Sequence, residues 1–202
     1  MLLSFDQILA GDRSSAFDLR KMGAEPGCVR VTGYLEEGTP ALGCDQKELD
    51  DLSEKLAARP VWLAAGVTGD EELDAALTAQ RRGLQRAHRL LLILVPDEAA
   101  EGPAIAQRLI EEGWGVALRS AGEEPSRDTQ VYVADTDGEM GLWYRLAPIC
   151  FLGRSLPSGP GRNPFEAAAL GSAIMHGPNV RRYRAAYTRL ASANAARLVR
   201  NA

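Results

Sequence analysis

From residue 60 onward, short unbroken apolar runs alternate with stretches in which apolar residues return every third or fourth position. The runs predict strands at 60–65, 90–95, 115–119, 130–134, 149–152, 173–176 and 196–199. The stretches between them predict helices at 71–87, 104–112, 139–146, 164–170 and 180–193, the first with Leu73, Ala76, Leu77 and Leu84 on one stripe. Residues 90–95 (Leu-Leu-Leu-Ile-Leu-Val) are apolar throughout, as a parallel strand covered on both faces must be. Ahead of this alternation, Phe5, Ile8 and Leu9 open an extended or mixed segment, 14–22 reads as a helix stopped by Gly23, and 29–34 reads as a strand. Residues 36–46 are turn-rich and mark a boundary. Asp45 and Glu48 then have capping-box spacing for a helix with Leu49, Leu52 and Leu56 on one face.

Strands and helices in this alternation define an α/β class, a Rossmann-like doubly wound parallel sheet. Ligands of such sheets lie outside the carboxyl ends of the strands. Three turns are expected there: 64–70, 135–141 and 153–166.

The last of these carries the most chemistry. Pro160-Gly161-Arg162-Asn163 leads into a helix with Pro164 in its first position, where a missing N–H costs nothing. Asn163 is the cap, and Glu166 follows three residues on. The amides and dipole of such a helix start suit a phosphate or a sugar hydroxyl. Glu166 either accepts from ribose hydroxyls, as a carboxylate can from two at once, or folds back onto the cap amide of Asn163. In the turn 135–141, Thr136 and Glu139 have capping-box spacing. That turn is either a helix cap alone or a phosphate cradle, with Gly138, Met140 and Gly141 as backbone donors and Gly141 admitting a ligand closely.

Composition narrows the functional classes. A chain of 202 residues with 46% hydrophobic and 25% charged residues is an ordinary globular protein, and its net charge of −4 argues against general nucleic-acid binding. The 3 cysteines (Cys28, Cys44 and Cys150) and 2 histidines (His88 and His176) have no metal-ligand spacing, so neither a metal site nor a disulfide framework is expected. The N-terminus has no signal-peptide pattern, and 90–95 falls far short of the roughly 20 apolar residues that cross a bilayer. Residues 167–202 hold no acidic residue but include Arg181, Arg182, Arg184, Arg189, Arg197 and Arg200. That helix is read as a packed one with Tyr183, Tyr187 and Leu190 on its buried stripe, in preference to a basic helix on a lipid surface.

Several of these strings resemble the bacterial transferases of 3-deoxy-D-manno-octulosonic acid (Kdo). They are 135–147 (Asp-Thr-Asp-Gly-Glu-Met-Gly-Leu-Trp-Tyr-Arg-Leu-Ala), 151–156 (Phe-Leu-Gly-Arg-Ser-Leu), 161–171 (Gly-Arg-Asn-Pro-Phe-Glu-Ala-Ala-Ala-Leu-Gly) and Gly177-Pro178. Residues 30–35 and 59–65 match two further stretches in the same order. The resemblance implies a GT-B glycosyltransferase with CMP-Kdo as donor, a lipid A precursor as acceptor, no metal, and a place in the cytoplasm or at the cytoplasmic face of the inner membrane. Residues 1–46 would be the end of the acceptor domain and the interdomain segment, and 47–202 the donor domain, short of its C-terminal end. The catalytic carboxylate would come from the preceding acceptor domain, so the chain alone would bind a nucleotide without catalysis. Peripheral membrane contact and homodimerisation would be compatible with it.

Carried over, the resemblance implies a donor site of Gly138, Met140, Gly141, Asn163 and Glu166, with Gly161, Arg162 and Arg154 beside them. The departures concern charge. Pro96-Asp97-Glu98 stands where the family has Pro-Arg-His, and Gly66-Val67-Thr68-Gly69, after Ala64-Ala65, where it has Ser-Thr-His-Glu. Arg154 replaces a family glycine, and Gly161-Arg162-Asn163 replaces Gly-Gly-His-Asn. Arg154 and Arg162 either restore cationic charge at the donor site or face solvent. A degenerate, non-catalytic module and a GT-B enzyme for a UDP-sugar are the alternatives.

Overall fold

The computed structural model describes residues 4–33, 40–56, 59–156 and 159–200. These fall into two compact units, Met1–Pro40 and Ala41–Ala202. The expected strand end at Tyr34 and linker residues 36–39 lie outside the described residues.

The smaller unit is a β–α–β element. Strands β1 (Ile8–Ala10) and β2 (Val29–Val31) pair in parallel, and α1 (Arg13–Lys21) connects them. The Asp12 carboxylate caps α1, accepting from the Ser15 amide at 2.7 Å. Among the described residues the core of this unit is Ala10, Ala16, Ala24 and Val29, with Ile8 and Leu19 packed against it, while Phe5, Leu9, Phe17, Met22 and Val31 stay exposed.

The larger unit begins with α2 (Gln46–Leu56), whose Glu48 amide donates to the Asp45 carboxylate at 3.0 Å. The order is then β3 (Val61–Val67), α3 (Gly69–Leu84), β4 (Leu91–Pro96), α4 (Gly102–Glu111), β5 (Val116–Leu118) and β6 (Val131–Val133). It continues with α5 (Met140–Leu146), β7 (Ile149–Leu152), α6 (Pro164–Ala169), β8 (Ala173–His176), α7 (Arg184–Ser192) and β9 (Ala196–Leu198). The expected doubly wound sheet is present: seven parallel strands in the order β5-β6-β4-β3-β7-β8-β9. From β3 the chain passes to β4, then to the edge strand β5, and returns with β6 between those two; it then crosses to β7 beside β3 and works outward through β8 to β9. The crevice between β3 and β7 is therefore the topological switch point, where such sheets bind ligands.

Alternation along β3 divides the core. Val61, Leu63 and Ala65 join one apolar layer with Leu52, Leu142, Trp143, Ala167 and Tyr187, from α2, α5, α6 and α7. Trp62 and Ala64 join the other, with Leu73 and Leu77 of α3 and Leu109 of α4. The register shifts between Ala65 and Val67, and Gly66 there has φ +65°. This bulge returns Val67 to the α3–α4 layer, where simple alternation would have put it on the other.

One expected element differs. The helix foreseen at 180–193 begins as a 3₁₀ turn, Arg181–Tyr183, before α7. The Tyr183 amide donates to the Val180 carbonyl at 3.0 Å and the Arg182 amide to the Pro160 carbonyl at 3.2 Å. That second bond draws the first turn toward the glycine loop, and Arg182 with it. As expected, Tyr187 of α7 is buried, and Tyr183 and Leu190 pack against the same layer.

Candidate functional site

Because the strands are parallel, the turns after β3, β4, β6 and β7 all open on one edge of the sheet. Glu72, in the first turn of α3, organises the switch point. Its side chain is 0% exposed, and its two oxygens accept four backbone amides. Oε2 takes Thr68 at 3.0 Å and Arg154 at 2.9 Å; Oε1 takes Ser155 at 2.7 Å and Leu156 at 3.0 Å. One carboxylate thus ties the turn after β3 to the turn after β7. A buried carboxylate is tolerated where amides surround it in this way. The sequence held a signal for it: Glu72, Ala76 and Gln80 fall four apart on the buried side of α3, placing polar residues on an apolar face.

The loop that Glu72 holds continues into the pocket. Arg154 has φ +56°, and its carbonyl accepts from Gly161 at 3.1 Å, closing the turn on itself. The Tyr187 hydroxyl donates to the Arg162 carbonyl at 2.9 Å. Asn163 caps α6 as expected, accepting from the Phe165 amide at 3.0 Å. Arg154, Gly161, Arg162, Asn163 and Glu166 line a cavity of about 240 Å³, together with Pro160, Arg182 and Tyr183. Five residues of the expected site are thus brought together, and Arg182 and Tyr183 are additions that the sequence reading left unassigned to the site.

The charge-reversed turn after β4 meets this pocket from the other side of β3. The Asp97 amide donates to the Val67 carbonyl at 2.9 Å. The Asp97 carboxylate lies 3.3 Å from the Arg162 guanidinium and 3.4 Å from that of Arg154. Glu98, its neighbour, is exposed. Gly66 makes the arrangement possible: a Cβ there would come within 2.2 Å of the Arg162 guanidinium, in a left-handed conformation that already favours glycine. The three departures at Gly66, Asp97 and Arg162 are therefore one arrangement in space.

The turn 135–141 is built differently from its sequence expectation. The Thr136–Glu139 capping box does not form: α5 has no side-chain cap. Thr136 donates its hydroxyl to the Glu139 carboxylate instead, and that carboxylate pairs with Arg119 at 2.6 Å, Arg119 also pairing with Glu48. Burial would raise the Glu139 pKa, but the hydrogen bonds from Arg119 and Thr136, with the Arg119 charge, outweigh it and hold the carboxyl below its ordinary value. Asp135 is buried and accepts from the Ser120 amide at 2.9 Å and hydroxyl at 2.6 Å. The room expected for a ligand over Gly141 is occupied by the chain itself. A Cβ at Gly141 would lie 2.1 Å from the Gly43 carbonyl oxygen, so this glycine serves backbone packing. Gly138 is exposed, with open space beside it, and Met140 is half-buried. The two helix starts, alike in sequence, thus differ: α6 is capped by Asn163, and α5 starts without a side-chain cap.

Beneath the pocket, Tyr144 is buried, and its hydroxyl has no hydrogen-bond partner among the described residues. Burial pushes its pKa up, against the opposing charge of Arg162. Burial likewise pushes the Cys150 thiol up to about 12, which makes it an inert core residue. Cys28, Cys44 and Cys150 are all free thiols. Among the described residues there is no cluster of three or more His, Cys, Asp or Glu that would hold a metal, and no helix long and apolar enough to cross a membrane.

A doubly wound parallel sheet with a cationic crevice at its switch point is a Rossmann-like architecture suited to an anionic ligand. Known proteins narrow the class to one half of a GT-B glycosyltransferase. The chain is 32% identical over 178 residues to the 3-deoxy-D-manno-octulosonic acid transferase of Haemophilus influenzae, covering 84% of this chain and 40% of the relative. It is 37% identical over 136 residues to the probable mitochondrial 3-deoxy-D-manno-octulosonic acid transferase of Arabidopsis thaliana, covering 66% of this chain and 30% of the relative. The crystal structure of the C-terminal CMP-Kdo binding domain of WaaA from Acinetobacter baumannii superposes with a TM-score of 0.70 at 28% identity, covering 77% of this chain and 81% of that chain. No family model matches. The chain belongs to the 3-deoxy-D-manno-octulosonic acid transferase family, and it spans less than half the length of these two curated relatives.

Proposed function

We propose that this chain supplies the donor half of a Kdo transferase, holding CMP-Kdo at the carboxyl edge of the sheet for transfer to a lipid A precursor. The observation that carries this reading is the arginine-lined pocket at the switch point, on the fold shared with the CMP-Kdo binding domain of WaaA. In this reading Arg154 and Arg162 take the donor's anionic groups, guanidinium being matched to phosphate and carboxylate oxygens. Glu166 accepts from the ribose hydroxyls, and Gly161 and Asn163 shape the loop around the nucleotide. The amides of Gly138 and Met140, where α5 starts without a side-chain cap, are further donors to the phosphate, with Gly141 packed on the Gly43 carbonyl beside them.

Transfer breaks the bond from the sugar's anomeric carbon to the phosphate oxygen, and CMP leaves as an anion. Cationic and amide donors at that oxygen stabilise the charge as it develops. The acceptor hydroxyl forms the new glycosidic bond and gives up its proton to a carboxylate of an acceptor domain. The unit Met1–Pro40 is read as the end of that domain. Its two-stranded sheet is too small to be stable alone, and its exposed Phe5, Leu9, Phe17, Met22 and Val31 suit burial in a larger body. The same surface suits self-association when the chain is on its own. A lipid-linked acceptor would place the protein at the cytoplasmic face of the membrane, with peripheral contact only.

The test is a thermal-unfolding titration with CMP, CDP, UDP and inorganic phosphate, on the chain and on Glu166→Ala. A ligand at 100 times its dissociation constant adds about 2.7 kcal/mol to stability. A rise in Tm with CMP that is lost in Glu166→Ala is expected; a rise with UDP and none with CMP would overturn the CMP-Kdo assignment.

A further inference from the structure

The Asp97 carboxylate stands between the two guanidiniums that the donor reading assigns to the ligand. Its contacts are loose: 3.3 Å to Arg162 Nη1, with 3.5 and 3.4 Å from its two oxygens to Arg154 Nη1. A committed charge-assisted hydrogen bond between such groups runs at about 2.7–2.9 Å and is often bidentate. Here each guanidinium offers a single nitrogen and keeps donors in reserve. The Asp97 side chain is 14% exposed, against 44% for Arg154 and 24% for Arg162, so the acid lies behind the cations as seen from solvent. Its backbone is fixed by the amide bond to Val67, and the bulge at Gly66 leaves the Arg162 guanidinium room beside it. The pocket that the arginines share also contains Arg182 and the Glu166 carboxylate.

We propose that Asp97 is a built-in counter-ion for Arg154 and Arg162 that an anionic ligand must outcompete, and that it thereby sets the affinity of the site for the donor's charge. Resting on the donor reading above, this makes Asp97 a specificity-determining residue. The free site is spared two unpaired cations side by side. A bound anion keeps the attraction of the arginines and meets repulsion from the carboxylate behind them. Asp97→Asn keeps Oδ1 as an acceptor facing both guanidiniums, removes the charge, and puts an NH2 in place of Oδ2.

The experiment is calorimetric titration of the chain, of Asp97→Asn and of Asp97→Ser, with CMP and with uncharged cytidine. Asp97→Asn is expected to bind CMP at least threefold more tightly, with cytidine unchanged and the gain shrinking as salt is raised. Asp97→Ser, also uncharged and smaller, is expected to change in the same direction, and thermal unfolding of both variants checks that they are folded. CMP binding that is unchanged or weaker in both folded variants, while the original chain binds it, would overturn the counter-ion role and leave the donor reading standing. Absence of CMP binding in all three proteins would overturn both.

Discussion

The two edges of the seven-stranded sheet are stitched by side chains of opposite kind. At the amino edge Arg59 and Gln80 bridge strands chiefly as donors. Arg59 reaches the carbonyls of Arg89 and Ser126, each at 2.7 Å, and that of Thr129. Gln80 gives its amide hydrogens to Leu90 and Gln130 at 2.9 and 2.8 Å, and its oxygen accepts from the Trp62 indole at 2.8 Å. At the carboxyl edge the bridging groups are acceptors: Glu72 with four amides and Asp135 with the Ser120 amide and hydroxyl. The cause is the direction of the chain. Helices in this sheet start at the carboxyl edge and end at the amino edge, so one edge presents free N–H groups and the other free C=O groups. An edge whose own structure calls for buried carboxylates is an edge that receives anions, and its remaining opening is lined by arginines.

The strongest way to break this contrast is to remove the acceptor at the switch point. Glu72→Ala takes the acceptor from four amides, that of Ser155 buried and the others part-buried, and the expected cost is about 3 kcal/mol, together with loss of nucleotide binding as the 153–156 turn comes free. Urea unfolding and CMP titration of the same variant check both. The matching change at the other edge is Gln80→Leu, which removes the partner of the Leu90 carbonyl and of the Trp62 indole N–H and leaves the Gln130 carbonyl with the Leu92 amide. It is expected to cost about 2 kcal/mol in the same unfolding assay and to leave CMP affinity unchanged, because that edge has no part in the site. A loss of binding equal to that of Glu72→Ala would erase the distinction between the edges.

A smaller effect follows from acid. Glu139 titrates below its ordinary value in the folded chain, so its pairing with Arg119 contributes stability above the unfolded-state pKa. That contribution is lost as pH falls through the lower, folded value. His176 is held below its ordinary value by burial, opposed by the Gly177 carbonyl, so its protonation on unfolding also favours the unfolded chain as pH falls from the ordinary histidine value toward the folded one. Unfolding measured from neutral pH downward is expected to show stability declining through the histidine range and again through the carboxylate range. Glu139→Gln should flatten the second decline only.

Most of the architecture was legible in the chain because apolar periodicity reports burial directly. The strands at 149–152 and 173–176 coincide with β7 and β8, and residues 90–95 lie within one position of β4. The site was legible only in part. Asn163 and the glycine loop carry local signals, since a cap and a turn are made by neighbours in sequence. Glu139 misled, because a capping-box spacing says nothing of Arg119, twenty positions earlier, which claims the carboxylate. Gly141 misled in the same way, its close neighbour being the Gly43 carbonyl rather than a ligand. Apart from Thr68, four positions from Glu72, the partners of Glu72 and of the Asp97–Arg154–Arg162 group lie 57 to 84 positions apart, and only the sheet topology brings them together.

If the carboxyl edge is the nucleotide site, titrating the ¹⁵N-labelled chain with CMP and following its backbone amides by NMR should give saturable shifts at Gly138, Met140, Arg154, Gly161 and Arg162, with Arg59, Leu90 and Trp114 at the amino edge unmoved. Shifts confined to the amino edge, or spectra unchanged by CMP in the folded chain, would contradict that assignment.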